Sequence, residues 1–265
     1  MKNYLVIGNP IDHSLSPKLH NYWFKKSGIN AIYEKKLLKE EELENIIIKF
    51  KKDEIHGINV TLPFKKSIIP FLDKLTPESE KSQSVNTIYK ENNLIIGHNT
   101  DIAGFELGLR HAKFDVKEKK VFILGSGGVV SSIIMALKKM EVSKILLSNR
   151  TKKKPEDLKN IFKELEIINW GEIPTFDMII NATSIGLKNE DEIKIDYSSL
   201  GTNKFFYDVI YNPRETTFLK RAKLFGNRVE NGKMMFIYQA HQAFTIWHKS
   251  MPKIDEETIK LLNND

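Results

Sequence analysis

The chain contains no cysteine in its 265 residues. That absence excludes disulfide bridges, zinc–thiolate sites and a cysteine nucleophile, and it fits a cytoplasmic protein. No apolar run approaches the roughly 20 residues that a membrane-spanning helix requires. The opening Met1 to Pro10 is too short an apolar stretch for a signal peptide to be expected. A basic stripe with interleaved aromatics is also missing. The net charge of +7 comes from lysines scattered among glutamates, as where Glu40, Glu41 and Glu42 precede Lys49, Lys51 and Lys52. Neither a nucleic-acid nor a membrane partner is expected, and the excess reads as solubility plus a pull on small anions. No metal is predicted. With 41% hydrophobic and 28% charged residues, the composition is that of an ordinary globular protein. The length suits one large domain or two smaller ones.

The stretch that organises the rest runs from Lys119 to Lys154. Val121-Phe122-Ile123-Leu124 reads as a short buried strand and Gly125-Ser126-Gly127-Gly128 as a turn. Val129 to Met140 then reads as a helix burying Ile133, Ile134, Ala136, Leu137 and Met140, and Ile145-Leu146-Leu147 as a second strand. This is the βαβ unit that holds dinucleotides. Its first glycine permits the sharp turn, its second lets the backbone approach a pyrophosphate, and the helix N-terminus offers free N–H groups and partial positive charge. Gly125, Ser126, Gly127, Gly128 and Val129 are therefore candidate cofactor contacts. A glycine cluster alone is equally a plain turn, but its place between strand and helix favours binding. The third fingerprint position is Val130, where Gly or Ala is usual, so helix and strand are expected slightly further apart.

The end of the second strand discriminates between cofactors. An NAD site has an acid there for the ribose 2′-hydroxyl, whereas an NADP site has Arg and hydroxyl groups for the 2′-phosphate. Here Asn149-Arg150-Thr151 replaces the acid and Lys152-Lys153-Lys154 follows. Arg150 offers a planar fork of donors, and Thr151 and the lysines add a hydroxyl and positive charge. Three consecutive lysines commonly face solvent, and at least one is expected to do so. NADP(H) is the predicted cofactor.

In the first hundred residues, Tyr4 to Ile7 reads as a strand leading into Gly8-Asn9-Pro10-Ile11-Asp12-His13-Ser14-Leu15-Ser16-Pro17. Ser16-Pro17 predicts a helix start, Ser at N-cap and Pro at N1, with the helix ending near Lys26 before Gly28. Ser14 and Ser16 lie two apart in a chain held extended by Pro10 and Pro17, so their hydroxyls project the same way. Such a pair beside a helix N-terminus suits a carboxylate, although capping alone also accounts for Ser16.

The pattern Gly-x-Pro-x-x-His-Ser-x-Ser-Pro from Gly8 to Pro17 resembles the opening signature of shikimate dehydrogenases, in which the paired serines hold the substrate carboxylate. After a helix predicted over Glu40 to Lys51, Gly57-Ile58-Asn59-Val60-Thr61-Leu62-Pro63-Phe64-Lys65 reads as an alternating strand ending at Pro63. It is similar to the second signature of the same family, which implies that Lys65 is the catalytic lysine and Thr61 a substrate ligand. Pro70 to Glu80 reads as helix and loop. Ser84 to Thr87 and Leu94 to Asp101 read as short strand ends, and the resemblance implies that Asn86 binds substrate and that Asp101 is the catalytic aspartate. Asp is also favoured as the N-cap of a helix from Ile102 to about Phe114, and the two roles can coexist. His13 competes for acid–base work, but its place between Asp12 and Ser14 favours a structural role.

Beyond Lys154 the pattern predicts a helix from Pro155 to Leu165, a strand Phe176 to Ile180, and a polar surface loop from Lys188 to Asp196. Asn181-Ala182-Thr183-Ser184-Ile185-Gly186 resembles a family motif beside the cofactor. Phe205 to Pro213 reads as strand and turn. By resemblance it places Val209 near the nicotinamide and Tyr211 near the substrate. Asn231 to Ala240 opens a helix carrying Phe244 and Trp247. Here the resemblance implies Gly232 against the nicotinamide and Gln239 on the substrate, although Met234 stands where the family usually has a second glycine. A last helix, Glu256 to Leu262, is expected to pack on the first half.

These readings predict an α/β protein of two domains with a cleft between them. Residues 1–101, completed by C-terminal helices of about 233–265, form the substrate-binding and catalytic domain, and residues 102–232 form a Rossmann-type NADP-binding domain. The resemblance implies a homodimer that interconverts shikimate and 3-dehydroshikimate reversibly with NADP(H), a step towards chorismate and the aromatic amino acids. In it Lys65 is the acid–base and Asp101 its partner. Two alternatives stay open: a quinate/shikimate dehydrogenase paralogue, which Arg150 disfavours if it uses NAD, and a non-catalytic NADP-binding regulator, disfavoured by the presence of both Lys65 and Asp101.

Overall fold

The computed structural model describes residues 1–188 and 192–262. The predicted loop Lys188 to Asp196 and the end of the predicted C-terminal segment therefore lie partly outside the described residues. Two compact units are present: Met1–Gly104 together with the chain from Ile237 onward, and Phe105–Phe236.

The first unit carries β1 (Lys2–Gly8), α1 (Ser16–Lys26), β2 (Ala31–Leu37), α2 (Leu43–Lys51), β3 (Gly57–Val60), β4 (Lys74–Leu75), α3 (Pro77–Ser82), β5 (Thr87–Glu91), β6 (Leu94–His98) and the start of α4 (Asp101–His111). Its sheet has the order β2-β1-β3-β5-β6-β4. The strands β2, β1 and β3 are parallel, whereas β3, β5 and β6 run antiparallel. The β5–β6 hairpin turns on Asn92 and Asn93, both at positive φ, a conformation that asparagine tolerates well. On α2 the buried residues Leu43, Ile46, Ile47 and Phe50 form one stripe and meet Ile7, Ile58, Val60 and Phe64 in a common core. The return of the chain, α8 (Lys233–His248) and α9 (Glu256–Leu261), completes this unit from Ile237 on. There Phe244 and Trp247 join Tyr4, Trp23 and Phe24 in an aromatic cluster, and Trp247 Nε1 donates to the Ile88 carbonyl at 3.0 Å.

In the second unit six strands form one sheet: β7 (Lys120–Leu124), β8 (Lys144–Ser148), β9 (Glu166–Ile168), β10 (Met178–Asn181), β11 (Phe205–Asp208) and β12 (Arg228–Asn231). Their order is β12-β11-β10-β7-β8-β9, every pairing parallel. This is the doubly wound dinucleotide-binding order, with its switch point between β7 and β10. Helices α5 (Val130–Lys139), α6 (Lys153–Ile161) and α7 (Thr217–Leu224) connect the strands. No helix among the described residues is long and apolar enough to cross a membrane.

Three local expectations are corrected. Ser16 is the first residue inside α1, not its cap: Leu15 takes the N-cap position and makes no side-chain cap bond. The alternating strand through Leu62 ends at Val60, and all four residues of β3 are buried, Asn59 included. A strand flanked on both sides and covered on both faces has no solvent face to alternate against. Helix α6 begins two residues before Pro155, which falls in the first turn, where a proline lacks no helical partner.

Candidate active site

The first unit brings Lys65, Asp101 and Asn86 together. Phe64, buried in the core beside α2, anchors the turn after β3, and its N–H donates to the Thr61 carbonyl at 2.9 Å. Lys65 follows with its side chain only 12% exposed, its ammonium paired with Asp101 Oδ2. Its neighbour Lys66 faces solvent. Asp101 lies in the first turn of α4, where the helix dipole favours a negative charge. Its other oxygen, Oδ1, accepts from Asn86 Nδ2 at 2.9 Å. The Asn86 amide is oriented by its surroundings, since Oδ1 accepts the backbone N–H of Thr100 at 2.7 Å, which leaves the NH2 side facing Asp101. Thus an ammonium, a carboxylate and an amide separated along the chain form one contiguous polar group.

The remaining predicted substrate residues of the unit are Ser14, Ser16, Thr61 and Gln239. Ser14 and Ser16 are both buried, and Ser14 Oγ accepts the Ser16 N–H at 3.3 Å. Thr61 is half-buried beside Gly8, where an added Cβ would lie 2.5 Å from the Thr61 methyl, so the chain passes Thr61 only because position 8 is glycine. His13 is exposed. Gln239 is half-buried on α8.

Several buried groups here went unmarked in the sequence. Tyr33 on the edge strand β2 has both backbone groups held by Asn21 of α1, each bond 2.9 Å. Its phenol donates to Asn59 Oδ1 at 2.6 Å. Burial keeps that phenol well above its ordinary pKa, against a smaller opposing pull from Ser16, so it is a neutral donor. Asn59 Nδ2 in turn reaches the Asn86 carbonyl and Thr87 Oγ, both at 3.0 Å. Only the departure of Asn59 from a polar-out pattern could have marked it, and that pattern does not apply to a buried strand.

In the second unit, Gly125 follows β7 at φ +106°, and a Cβ there would lie 2.7 Å from the Ala182 carbonyl oxygen. Glycine is required by conformation and by the approach of the chain after β10 alike. Gly127 has only that same oxygen near it, at 3.9 Å, and so leaves open space over the turn. Ser126 contributes a buried hydroxyl with no hydrogen-bond partner among the described residues, as does Ser148 at the end of β8. Gly128 is exposed, Val129 takes the N-cap of α5, and Val130 is fully buried in its first turn. Open room, an unpartnered hydroxyl and a helix N-terminus at the switch point fit the diphosphate of a dinucleotide.

Beyond β8, Asn149 Nδ2 donates to the Thr151 carbonyl at 2.9 Å and shapes the turn that presents Arg150. Arg150, Thr151, Lys152, Lys153 and Lys154 are all exposed. Lys152 to Lys154 crowd the N-terminus of α6, where the dipole disfavours cations. None of the four cations of this segment has an ion-pair partner among the described residues. A bound anion would relieve that crowding, and a 2′-phosphate is an anion.

Val209 and Gly232 are neighbours in space. A Cβ on Gly232 would overlap the Val209 carbonyl oxygen and lie 2.6 Å from its carbon. The Gly232 N–H donates to the Ile210 carbonyl at 3.1 Å. Met234 is buried in the first turn of α8. Tyr211 stacks on Phe236, ring centroids 4.5 Å apart. Behind Val209, Asp208 accepts from Thr216 Oγ at 2.6 Å, from the Ile210 N–H at 3.0 Å and from Asn181 Nδ2 at 3.1 Å. Burial pushes its carboxyl up to about 6 although these donors pull it down.

A parallel sheet in the 3-2-1-4-5-6 order, entered through a glycine turn, in a chain whose other unit holds a lysine paired with a buried carboxylate, defines a two-domain nicotinamide-dependent oxidoreductase. Comparison with known proteins narrows the class. Residues 6–88 match the shikimate dehydrogenase substrate binding domain and residues 106–217 the shikimate / quinate 5-dehydrogenase domain. The chain is 64% identical over 262 residues to the shikimate dehydrogenase (NADP(+)) of Pelagibacter ubique (strain HTCC1062), covering 99% of both proteins. A crystal structure of shikimate dehydrogenase from Aquifex aeolicus superposes with a TM-score of 0.91 at 37% identity, covering 100% of this chain and 98% of that one. The enzyme of Thermus thermophilus, solved in complex with NADP(H) and shikimate, superposes with a TM-score of 0.89 at 27% identity, over 99% and 98% of the chains. The chain belongs to the shikimate dehydrogenase family.

Proposed function

We propose that this protein is an NADP-dependent shikimate dehydrogenase that reduces 3-dehydroshikimate reversibly to shikimate, with Lys65 as the acid–base and Asp101 as its partner. The observation that carries the assignment is the pairing of the Lys65 ammonium with Asp101, whose second oxygen is held by Asn86. NADPH, when bound, supplies the hydride. Gly125, Ser126, Gly127, Gly128 and Val129 hold its diphosphate, Asn149, Arg150, Thr151 and Lys152 to Lys154 its 2′-phosphate, and Val209 and Gly232 its nicotinamide. As the carbonyl carbon gains a hydride, its oxygen becomes an alkoxide. Lys65 donates a proton to that oxygen and stabilises the charge that develops on it; in the reverse direction it removes the hydroxyl proton. Asp101 keeps Lys65 aimed and, with Asn86, Thr61, Tyr211 and Gln239, holds the substrate hydroxyls, while Ser14 and Ser16 take the carboxylate.

The test is turnover of 3-dehydroshikimate by the purified protein, followed by loss of reduced nicotinamide absorbance, in the wild type and in Lys65→Ala. General acid–base catalysis of this kind contributes roughly 10²- to 10⁴-fold, so kcat should fall within that range while KM changes little. A variant with near-normal kcat refutes the role of Lys65. The match of residues 106–217 to shikimate / quinate 5-dehydrogenases favours one second reading, activity on quinate, which turnover with quinate against shikimate separates. A homodimer in the cytoplasm, feeding chorismate and aromatic amino acid synthesis, belongs to the same proposal. Sedimentation of the purified protein tests the assembly.

A further inference from the structure

Asn181 and Asp208 are the last residues of β10 and β11 and are partners in the parallel register. Both are fully buried. The Asn181 amide uses every bonding position it has. Its Nδ2 donates to the Ile185 carbonyl at 3.0 Å and to Asp208 Oδ1 at 3.1 Å, and its Oδ1 accepts the Thr183 N–H at 3.0 Å and the Thr183 hydroxyl at 2.7 Å. The Thr183 oxygen accepts the Ile185 N–H at 3.0 Å, so residues 182–185 are folded around one side chain. Asp208 Oδ1 also takes the Ile210 N–H, and Oδ2 takes the Thr216 hydroxyl. A carboxylate buried among neutral donors is a costly way to join two strands that their own backbone bonds already join. What it adds lies beyond the strand ends, where it ties the chain after β10 to the chain after β11.

Each tied segment borders one of the cofactor seats proposed above, and the inference rests on those seats. The Ala182 carbonyl oxygen lies 2.7 Å from where a Cβ on Gly125 would stand, against the glycine turn assigned to the diphosphate. The Val209 carbonyl packs on Gly232 at the seat assigned to the nicotinamide. We propose that Asn181 and Asp208 are positioning residues for the cofactor, their mutual hydrogen bond setting the distance between the diphosphate turn and the nicotinamide seat. A dinucleotide anchored at its diphosphate brings its nicotinamide to the reacting carbon only if the second seat stands at the matching distance. The link resides at Asp208 Oδ1. A neutral amide in place of the carboxyl group keeps that acceptor and turns its NH2 to the Thr216 hydroxyl, which can accept.

The experiment compares the wild type with Asp208→Ala, Asn181→Ala, the double variant and Asp208→Asn. Single-turnover oxidation of saturating NADPH by 3-dehydroshikimate is measured for each, together with calorimetric Kd values for NADPH and for 2′-phospho-ADP-ribose, which lacks the nicotinamide. Asp208→Ala and Asn181→Ala should each slow hydride transfer on the order of 10- to 10²-fold, the effect of a misplacement of about 1 Å. The double variant should be no slower than the slower single one, because both changes break the same bond. Binding of NADPH should weaken while the fragment, which need not reach both seats, binds as to the wild type. Asp208→Asn should retain most of the wild-type rate. Thr183→Val, at a half-buried position, deletes the hydroxyl that joins Asn181 to the Ile185 N–H and serves where neither buried variant folds; it too should slow hydride transfer and spare the fragment. Folded variants with the wild-type rate, an Asp208→Asn enzyme as slow as Asp208→Ala, single effects that multiply in the double variant, or loss of the fragment in step with NADPH overturn the positioning role and leave the proposed reaction intact. A wild type that does not turn over 3-dehydroshikimate overturns both.

Discussion

Replacing Gly232 by alanine tests the seat assigned to the nicotinamide. The added methyl would lie 2.6 Å from the Val209 carbonyl carbon and overlap its oxygen. Carbon atoms pack at about 3.5 to 4.0 Å, so the two backbone segments must separate by about 1 Å. Neither is the free end of a side chain. The Gly232 N–H is bonded to the Ile210 carbonyl, and Ile210 in turn donates to Asp208, so displacement spreads into the end of β11. Overpacking of this kind typically costs about 1 to 3 kcal/mol, which a domain with about 5 to 15 kcal/mol of stability survives. The chemistry is more sensitive, because a misplacement of about 1 Å between reacting groups can cost on the order of 10²-fold in rate. Gly232→Ala should therefore remain folded, with melting temperature lowered by several degrees, while kcat falls on the order of 10²-fold. Circular dichroism melting and single-turnover oxidation of NADPH read the two effects separately. A folded variant with wild-type kcat would refute the placement of Val209 and Gly232 beside the nicotinamide.

Two further outcomes are expected. Arg150→Ala removes the one planar donor fork of the basic segment, so KM for NADPH should rise by about 10- to 100-fold, the loss of a charge-assisted contact of roughly 1.5 to 3 kcal/mol, while KM for NADH stays as it was; an equal rise for both cofactors would remove the 2′-phosphate role. Asp208, raised from 3.8 to about 6 by burial, binds its proton more tightly folded than unfolded. Its contribution is therefore fully present below about pH 4 and is lost as pH rises through about 6. The difference in unfolding free energy between wild type and Asp208→Asn should change by about 3 kcal/mol across that window, to the disadvantage of the wild type at the higher pH. Urea melts at pH 4 and pH 7 check this, and a difference independent of pH would contradict it.

The two units were unequally legible in the amino-acid sequence. The βαβ unit from Lys120 to Ser148 could be read because buried parallel strands are near-continuous apolar runs and the glycine turn sits between strand and helix. Edge elements were missed. β2, Ala-Ile-Tyr-Glu-Lys-Lys-Leu, exposes its last four residues and follows no simple period, while β9 and β12 are only three and four residues long and mixed in polarity. β2 carries Tyr33, and that residue went unnoticed with it. Asn59 was lost for the opposite reason: it sits on a strand with no outer face. The candidate catalytic pair was reached through motif resemblance, since nothing in the spacing of Lys65 and Asp101 reports that a turn after β3 and the first turn of α4 deliver them to one point.

Trp247 comes after the whole dinucleotide-binding unit in the sequence, yet its indole lies against Tyr4 and over Gly57, where a Cβ would stand 2.5 Å from the ring. The first unit is thus assembled from two stretches of polypeptide with the second unit made between them. During synthesis the N-terminal sheet emerges first, but it keeps an uncapped aromatic face until α8 follows, so the cofactor module is the earlier of the two to be finished. A nascent chain paused before residue 237 would carry a complete cofactor module beside an open apolar surface, a ready client for a chaperone.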